Sequence, residues 1–312
     1  MDRNTVNWRG YWAASPTAFT EAGEIDEPTM RALIEYYLEQ GVHGLLINGS
    51  TGEWFSQSPV ERVRVTEIAL SQVAGRVPVV VGCSEFTAER VISLASGAKT
   101  AGASGVMMTP PPYVRPTQTE IMAFYKDISA GIDLPIMIYN IPRRVGIDIE
   151  TQTLKKLAEI PNVVALKNSA KDPEFFDALD AVGGTLRVFG GNLLSNVGFG
   201  RLALGQGDGY IGGWQLLGNK LPELFEAVWR DDLDSAREIA AEEKSLDVQL
   251  WNDANAPKFG ASFQAQMKAA LRLMGIDAGY PRRPLLPLTD PQELEGLAAV
   301  LTSAGISVTQ TA

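Results

Sequence analysis

Short, unbroken apolar runs alternate with amphipathic stretches along most of this chain. The runs fall at residues 44–48, 77–82, 105–109, 134–140, 163–167, 186–190 and 209–213, with 11–16 as a weaker first member. Each closes on Gly, Thr, Asn or Pro, except one that closes on Lys167. Such a run reads as a parallel strand buried on both faces. Between the runs lie helical patterns. One runs from Pro28 towards Gln40, with Pro28 where a first helical turn accepts it. Ser58-Pro59 opens another, and residues 87–101, 117–130, 151–160, 173–182 and 193–204 continue the series. Eight strand-then-helix units predict an α/β chain, because parallel neighbours need crossover helices. At 312 residues the closed (β/α)8 TIM barrel is the expected architecture. The open doubly wound sheet is the alternative, but no G-x-G-x-x-G follows the first run.

After Trp214 the strand pattern stops, and residues 221–230, 234–250 and 265–274 are helical in period. Residues 281–287 form a proline-rich loop, and Asp290 caps a last helix through Ala304. The expected division is a barrel over 1–220, its last helix reaching about 231, and a C-terminal helical appendage over 232–312 packed on the barrel.

Composition removes several function classes. The net charge is −10 and no basic patch appears, so nucleic acid is not an expected partner. One cysteine and one histidine rule out an internal disulfide and a Cys/His metal cage, and no acidic metal-binding pattern replaces them. Cys83, after three valines, reads as a buried inert thiol, and His43, after Gly41, as a capping or surface residue. The polar N-terminus has no signal-peptide core, and no apolar run approaches the roughly 20 residues of a membrane span. A cytoplasmic protein is expected.

In a barrel the chemistry sits where strands end at their C-terminal side. Three run ends stand out: Gly49-Ser50-Thr51-Gly52-Glu53, Tyr139-Asn140-Ile141-Pro142 and Lys167. If Lys167 points inward, desolvation disfavours its ammonium, and a neutral amine is what attack on a ketone needs. The competing reading is a lysine snorkelling out of a strand end. Tyr139 closes the neighbouring run, where a phenol can relay protons or simply fill the barrel mouth. The Gly49-Ser50-Thr51 turn offers backbone N–H groups and two hydroxyls to a carboxylate, or is a plain tight turn. Ile211, in the eighth run, is expected to line the substrate.

Taken in order, these motifs resemble the dihydrodipicolinate synthase/N-acetylneuraminate lyase family, from Gly10 to about Gly305. The resemblance implies a (β/α)8 homotetramer doing class I, Schiff-base aldolase chemistry with no cofactor and no metal. By that resemblance Lys167 is the Schiff-base lysine and Tyr139 the proton-shuttling tyrosine. Ser50 and Thr51 are the hydroxyl pair at the keto-acid carboxylate, and Tyr113 is the tyrosine a neighbouring protomer inserts. Arg144 stands where the synthases keep the arginine that grips the aldehyde's carboxylate, and a guanidinium fork suits that partner.

The substrate branch is less sharply marked. Ser50 resembles the lyases, but Gly191-Asn192-Leu193-Leu194 lacks the acidic pair that holds a sialic acid's hydroxyls. Apolar Leu193 and Leu194 cannot satisfy hydroxyls there. Cys83-Ser84, Val114 and Trp214 depart from the synthase pattern, with Trp214 read as a packing residue. The leading expectation is condensation of pyruvate with aspartate semialdehyde. The alternatives are an aldolase or dehydratase of 2-keto-3-deoxy sugar acids and a non-catalytic keto-acid binder.

Overall fold

The structure is a computed structural model that describes residues 1–213, 215–251 and 257–309. Eight parallel strands close on themselves in chain order. They are β1 (Gly10–Ala14), β2 (Gly44–Ile47), β3 (Val79–Gly82), β4 (Gly105–Met108), β5 (Ile136–Asn140), β6 (Val163–Asn168), β7 (Arg187–Phe189) and β8 (Gly209–Gly212). Every expected run forms a strand, and the closure to β1 comes from the β8 register, with Trp12 opposite Ile211. The fold is therefore a (β/α)8 barrel, and the open-sheet alternative falls.

Helices cover the outside: α1 (Glu27–Glu39), α2 (Pro59–Val73), α3 (Ala88–Thr100), α4 (Gln118–Gly131), α5 (Pro142–Val145), α6 (Thr151–Leu157), α7 (Glu174–Val182) and α8 (Asn196–Ala203). Their starts are written locally. Ser58 and Glu61 form a reciprocal capping box at α2, and Thr117 and Glu120 form one at α4. Each satisfies two backbone donors that a helix start otherwise leaves bare. Four more helices follow: α9 (Lys220–Trp229), α10 (Leu233–Leu250), α11 (Phe263–Leu273) and α12 (Pro291–Ser303). No helix among the described residues is long and apolar enough to cross a membrane.

Two local expectations are corrected. Residues 193–204 are not one helix: a 3-10 turn at Gly191–Leu194 ends at Ser195, whose hydroxyl then caps α8 by accepting from Gly198 N at 3.1 Å. The side chain most able to cap sits inside the apolar period, and capping won over continuation. Nor does His43 cap a helix or sit free on the surface. Its Nδ1 accepts from Tyr11 N at 3.1 Å, its Nε2 meets Glu226 at 3.1 Å, and its ring packs edge-on against Trp229. Cys83 is fully buried, and burial pushes its thiol up to about 12, as an inert core residue should be.

The barrel interior has its own core, separate from the layer between strands and helices. Trp8, Trp12, Leu46, Val80, Met107, Met137, Ala165, Phe189 and Ile211 belong to it. Trp12 lies edge-on to Phe189, with centroids 5.5 Å apart. A residue larger than glycine cannot face it across the β1–β2 seam: a Cβ on Gly44 would stand 2.4 Å from the indole. Large rings opposite a missing side chain are how this interior reaches native packing density. The filled layers stop at Met137 and Ala165. Side chains alternate along a strand, so the next inward positions are Tyr139 and Lys167.

Candidate active site

Strands β5 and β6 pair Tyr139 with Lys167 and Asn140 with Asn168. The two asparagines lock that register. Asn140 Nδ2 donates to Asn168 Oδ1 at 3.0 Å and to Asp148 at 2.6 Å, and Asn168 Oδ1 also accepts from Ala170 N at 3.0 Å. These amide hydrogen bonds hold the two strand ends in register. One residue earlier, Lys167 Nζ lies 4.6 Å from the centre of the Tyr139 ring. Only 8% of Lys167 and 6% of Tyr139 is exposed.

A second buried lysine shows what a structural one looks like here. Lys268 on α11 gives Nζ to Glu53 at 2.6 Å, to Thr17 O at 2.7 Å and to Tyr280 O at 2.7 Å. Its three protons have three acceptors, one of them a carboxylate. Lys167 has no carboxylate within salt-bridge distance among the described residues. Burial pulls its pKa below the ordinary lysine value, opposed by Tyr139 and reinforced by Arg143 and Arg144. A desolvated amine without a counter-ion is held towards its neutral, nucleophilic form. The snorkelling reading of Lys167 is thereby excluded.

The Lys268–Glu53 pair has a purpose for the site. Glu53 closes the Gly49-Ser50-Thr51-Gly52-Glu53 turn and is wholly buried, with Arg282 N donating to its other oxygen at 2.8 Å. Gly52 O accepts from Thr17 Oγ1 at 2.8 Å and Gln57 Nε2 at 2.7 Å, and Ser50 O from Gln264 Nε2 at 2.8 Å. The turn is thus tied to α11 at both ends, leaving Ser50 and Thr51 facing the cavity above Lys167.

That cavity holds about 240 Å³ and is lined by Ser50, Thr51, Tyr139, Arg144, Lys167 and Ile211. Of the residues expected from sequence, Gly49 and Tyr113 do not line it. Gly49 backs onto Leu46, and Tyr113 is 90% exposed on the β4–α4 loop with φ of 75°. Leu193 and Leu194 are buried outside the barrel, so the cavity wall after β7 is Gly191 and Asn192 instead. Trp214 lies outside the described residues.

The far wall was invisible to sequence reasoning. Arg143 joins Arg144 on α5, and Asp247 of α10, Trp251 and Phe263 of α11 close the cavity from the C-terminal helices. Trp251 and Phe263 stack with centroids 5.5 Å apart, 14° from parallel, and the Arg143 guanidinium sits 5.2 Å from the Trp251 ring centre. Burial lowers the Arg144 pKa, against the pull of Tyr139, and Arg143 lowers it further. Neither arginine has a carboxylate within salt-bridge distance among the described residues. Asp247's α10 position carries no sequence signal beyond the helical period.

A buried lysine and phenol beneath two guanidinium groups suit a small anionic carbonyl compound. Residues 7–304 match the sequence profile of the dihydrodipicolinate synthetase family. The chain belongs to that family. With it goes the class I aldolase-type lyase chemistry that the strand-end motifs suggested. A 4-hydroxy-tetrahydrodipicolinate synthase from Pelobacter propionicus is 32% identical over 304 residues, covering 96% of this chain and 99% of that one. One from Thermus thermophilus is 34% identical over 293 residues, covering 92% and 93%. Among solved structures, the chloride-inhibited dihydrodipicolinate synthase from Acinetobacter baumannii complexed with pyruvate superposes with a TM-score of 0.86 at 29% identity, covering 96% of this chain and 99% of that one.

Proposed function

We propose that this enzyme condenses pyruvate with aspartate semialdehyde through a Schiff base on Lys167. The observation that carries the reading is the buried Lys167 amine with no anionic partner, set beside Tyr139 at the cavity floor. The synthase names of the relatives and the pyruvate complex of the Acinetobacter protein support the choice of substrates.

In this reading the Lys167 amine attacks C2 of pyruvate, whose carboxylate rests on the Ser50-Thr51 turn. Tyr139, working through Thr51 and Ser50, protonates the departing oxygen, and water leaves to give the iminium. Loss of a C3 proton forms the enamine, with the iminium nitrogen as electron sink, so the chain's own residues carry each step. C3 then bonds to the aldehyde carbon, and the aldehyde oxygen takes a proton. Arg144 holds the aldehyde's carboxylate and Ile211 bounds the apolar side. Water returns to the iminium to free the product and the amine. Tyr113 acts in a neighbouring copy's cavity, within a cytoplasmic homotetramer.

Intact mass after mixing the protein with pyruvate and borohydride tests the first step, with Lys167→Ala as control. A reduced pyruvyl adduct on the parent chain alone is expected. No adduct with pyruvate or with larger 2-keto acids would sink the Schiff-base reading.

A further inference from the structure

As C3 bonds to the aldehyde carbon, negative charge builds on the aldehyde oxygen. Arg144 is by then taken up by the carboxylate, and Ser50 and Thr51 by pyruvate. A second phenol lines the same cavity: Tyr210 on β8, across the barrel mouth from Tyr139 on β5. Tyr210 pairs with Tyr11 of β1, and its neighbour Ile211 belongs to the barrel interior, so by alternation Tyr210 starts out facing the helix layer. Two glycines let its ring lean back to the mouth. A Cβ on Gly212, two residues nearer the strand end, would stand 2.9 Å from Tyr210 Cε1 and Cζ, and one on Gly191 would stand 3.3 Å from Cε2. The ring fills the slot that those missing side chains leave. Cζ, which bears the hydroxyl, is level with Gly212, and a Cβ on Gly213 would stand 3.0 Å from Thr51 Oγ1. The phenol tip therefore lies at the rim on the side of the Ser50-Thr51 turn.

Among the described residues nothing hydrogen-bonds the Tyr210 hydroxyl, and it is not sealed in the core. Tyr125 shows the ordinary arrangement, its Oη donating to Met108 O at 2.7 Å. The Tyr210 surroundings keep the proton in place. Burial raises its pKa well above the ordinary value, the α10 carboxyls of Glu243 and Asp247 add to this, as does Tyr139, and Arg143 opposes them. Such a phenol is a donor at neutral pH and not a base. The amide beside it is already engaged: Asn192 Nδ2 gives its protons to Asp172 at 2.7 Å and Ala170 O at 3.4 Å.

We propose that Tyr210 is a catalytic residue whose hydroxyl donates a hydrogen bond to the aldehyde oxygen as the enamine attacks. The enamine electron pair forms the C3–C bond, the carbonyl π pair moves onto the oxygen, and the nitrogen becomes iminium again. Tyr210 holds the charged oxygen until cavity water supplies its proton, and ends the step as it began. A fixed donor aimed at developing charge acts on the transition state more than on the bound aldehyde. The proposal rests on the Schiff-base reading above and adds a residue for its second half.

Three rates in the full-length enzyme test it: borohydride trapping with pyruvate, deuterium uptake at pyruvate C3 in D2O, and turnover of pyruvate with aspartate semialdehyde. In Tyr210→Phe the first two should stay within a few-fold of the parent. The kcat for condensation should fall about 10²- to 10³-fold, as loss of one such donor does, with KM for the aldehyde little changed. Tyr11→Phe is the control, because Tyr11 Oη is buried above the same Gly212 but does not line the cavity; it should keep its kcat. A parent-like kcat in Tyr210→Phe would overturn the proposal. So would an equal loss in Tyr11→Phe, or in trapping and deuterium uptake, since packing then explains the effect. A loss carried by KM alone would reduce Tyr210 to a binding contact and also overturn it, and a loss found in Ser169→Ala instead would move the role to that cavity hydroxyl. Trapping on the parent separates the two levels: an absent adduct removes the Schiff-base reading and this proposal together, whereas an adduct with undiminished condensation in Tyr210→Phe removes only this one.

Discussion

Lys167→Met and Lys268→Met should change stability in opposite directions, although both remove a buried lysine. Lys268 is 2% exposed and saturates three acceptors, including the fully buried Glu53 carboxylate. Methionine there leaves Glu53 charged, buried and short of its counter-ion, a loss of about 3–5 kcal/mol. For a chain of this size that is a fall of roughly 6–10 °C in Tm, at about 2 °C per kcal/mol. Burial pulls both lysines below the ordinary value, but Lys167 has no carboxylate at salt-bridge distance among the described residues, so no buried partner is stranded when its charge is removed. Below the folded pKa of Lys167 both states bind the proton, and the folded state carries the whole penalty, about 1.4 kcal/mol per unit of lowering. Between the folded pKa and the unfolded value near 10.4 the unfolded chain binds more protons, so stability rises with pH. Above both values the penalty is gone. Methionine fills nearly the same volume without the charge, so Lys167→Met should be more stable than the parent at neutral pH, with the gain vanishing above about pH 10.4. It should also form no pyruvate adduct. Chemical denaturation of the three proteins at pH 7 and near pH 10 measures this. A Lys167→Met protein destabilised as much as Lys268→Met would mean that the Lys167 ammonium is compensated, and the case for a neutral nucleophile would collapse.

Tyr139→Phe should keep the fold and lower the rate of adduct formation by about 10²- to 10⁴-fold, the usual worth of a placed proton-transfer group; trapping kinetics with pyruvate read it directly. Arg144→Ala should raise KM for the aldehyde about 10- to 100-fold, as loss of a charge-assisted bidentate contact does, while pyruvate trapping stays within a few-fold. Cys83 has its thiol pushed up to about 12, so a thiol reagent at pH 8 should label it only after denaturant is added. A variant held as a monomer should stay folded but lose turnover if Tyr113 works in a neighbour's cavity, and a fully active monomer would remove that role.

The chain's period carried most of the architecture. Each apolar run became a strand because a strand buried on both faces must be apolar throughout, and each intervening helix but α6 was marked by a cap or proline at its start. The exception, the break at Ser195, came where a local cap competed with the apolar period. Strand-end placement also singled out Lys167, Tyr139, Ser50 and Thr51, and the family resemblance added Arg144; these and Ile211 line one cavity. Short-range rules suffice for Lys167 and Tyr139, since side-chain alternation and a fixed register settle which way a strand residue faces.

What sequence alone could not decide was the meaning of a charge. Lys167 and Lys268 are both lysines near apolar residues, and nothing local says that one meets a carboxylate 215 positions away while the other meets none. The same holds for Asp247, Trp251 and Phe263, which reach the cavity only because the C-terminal helices fold back across the barrel mouth. A residue's type and spacing fix its strand or helix, but its pKa and its ligand depend on desolvation and on charges brought close by long-range packing. The sequence therefore determined the barrel and its strand-end residues, and the tertiary structure decided which lysine lies without a carboxylate partner and what faces it across the cavity.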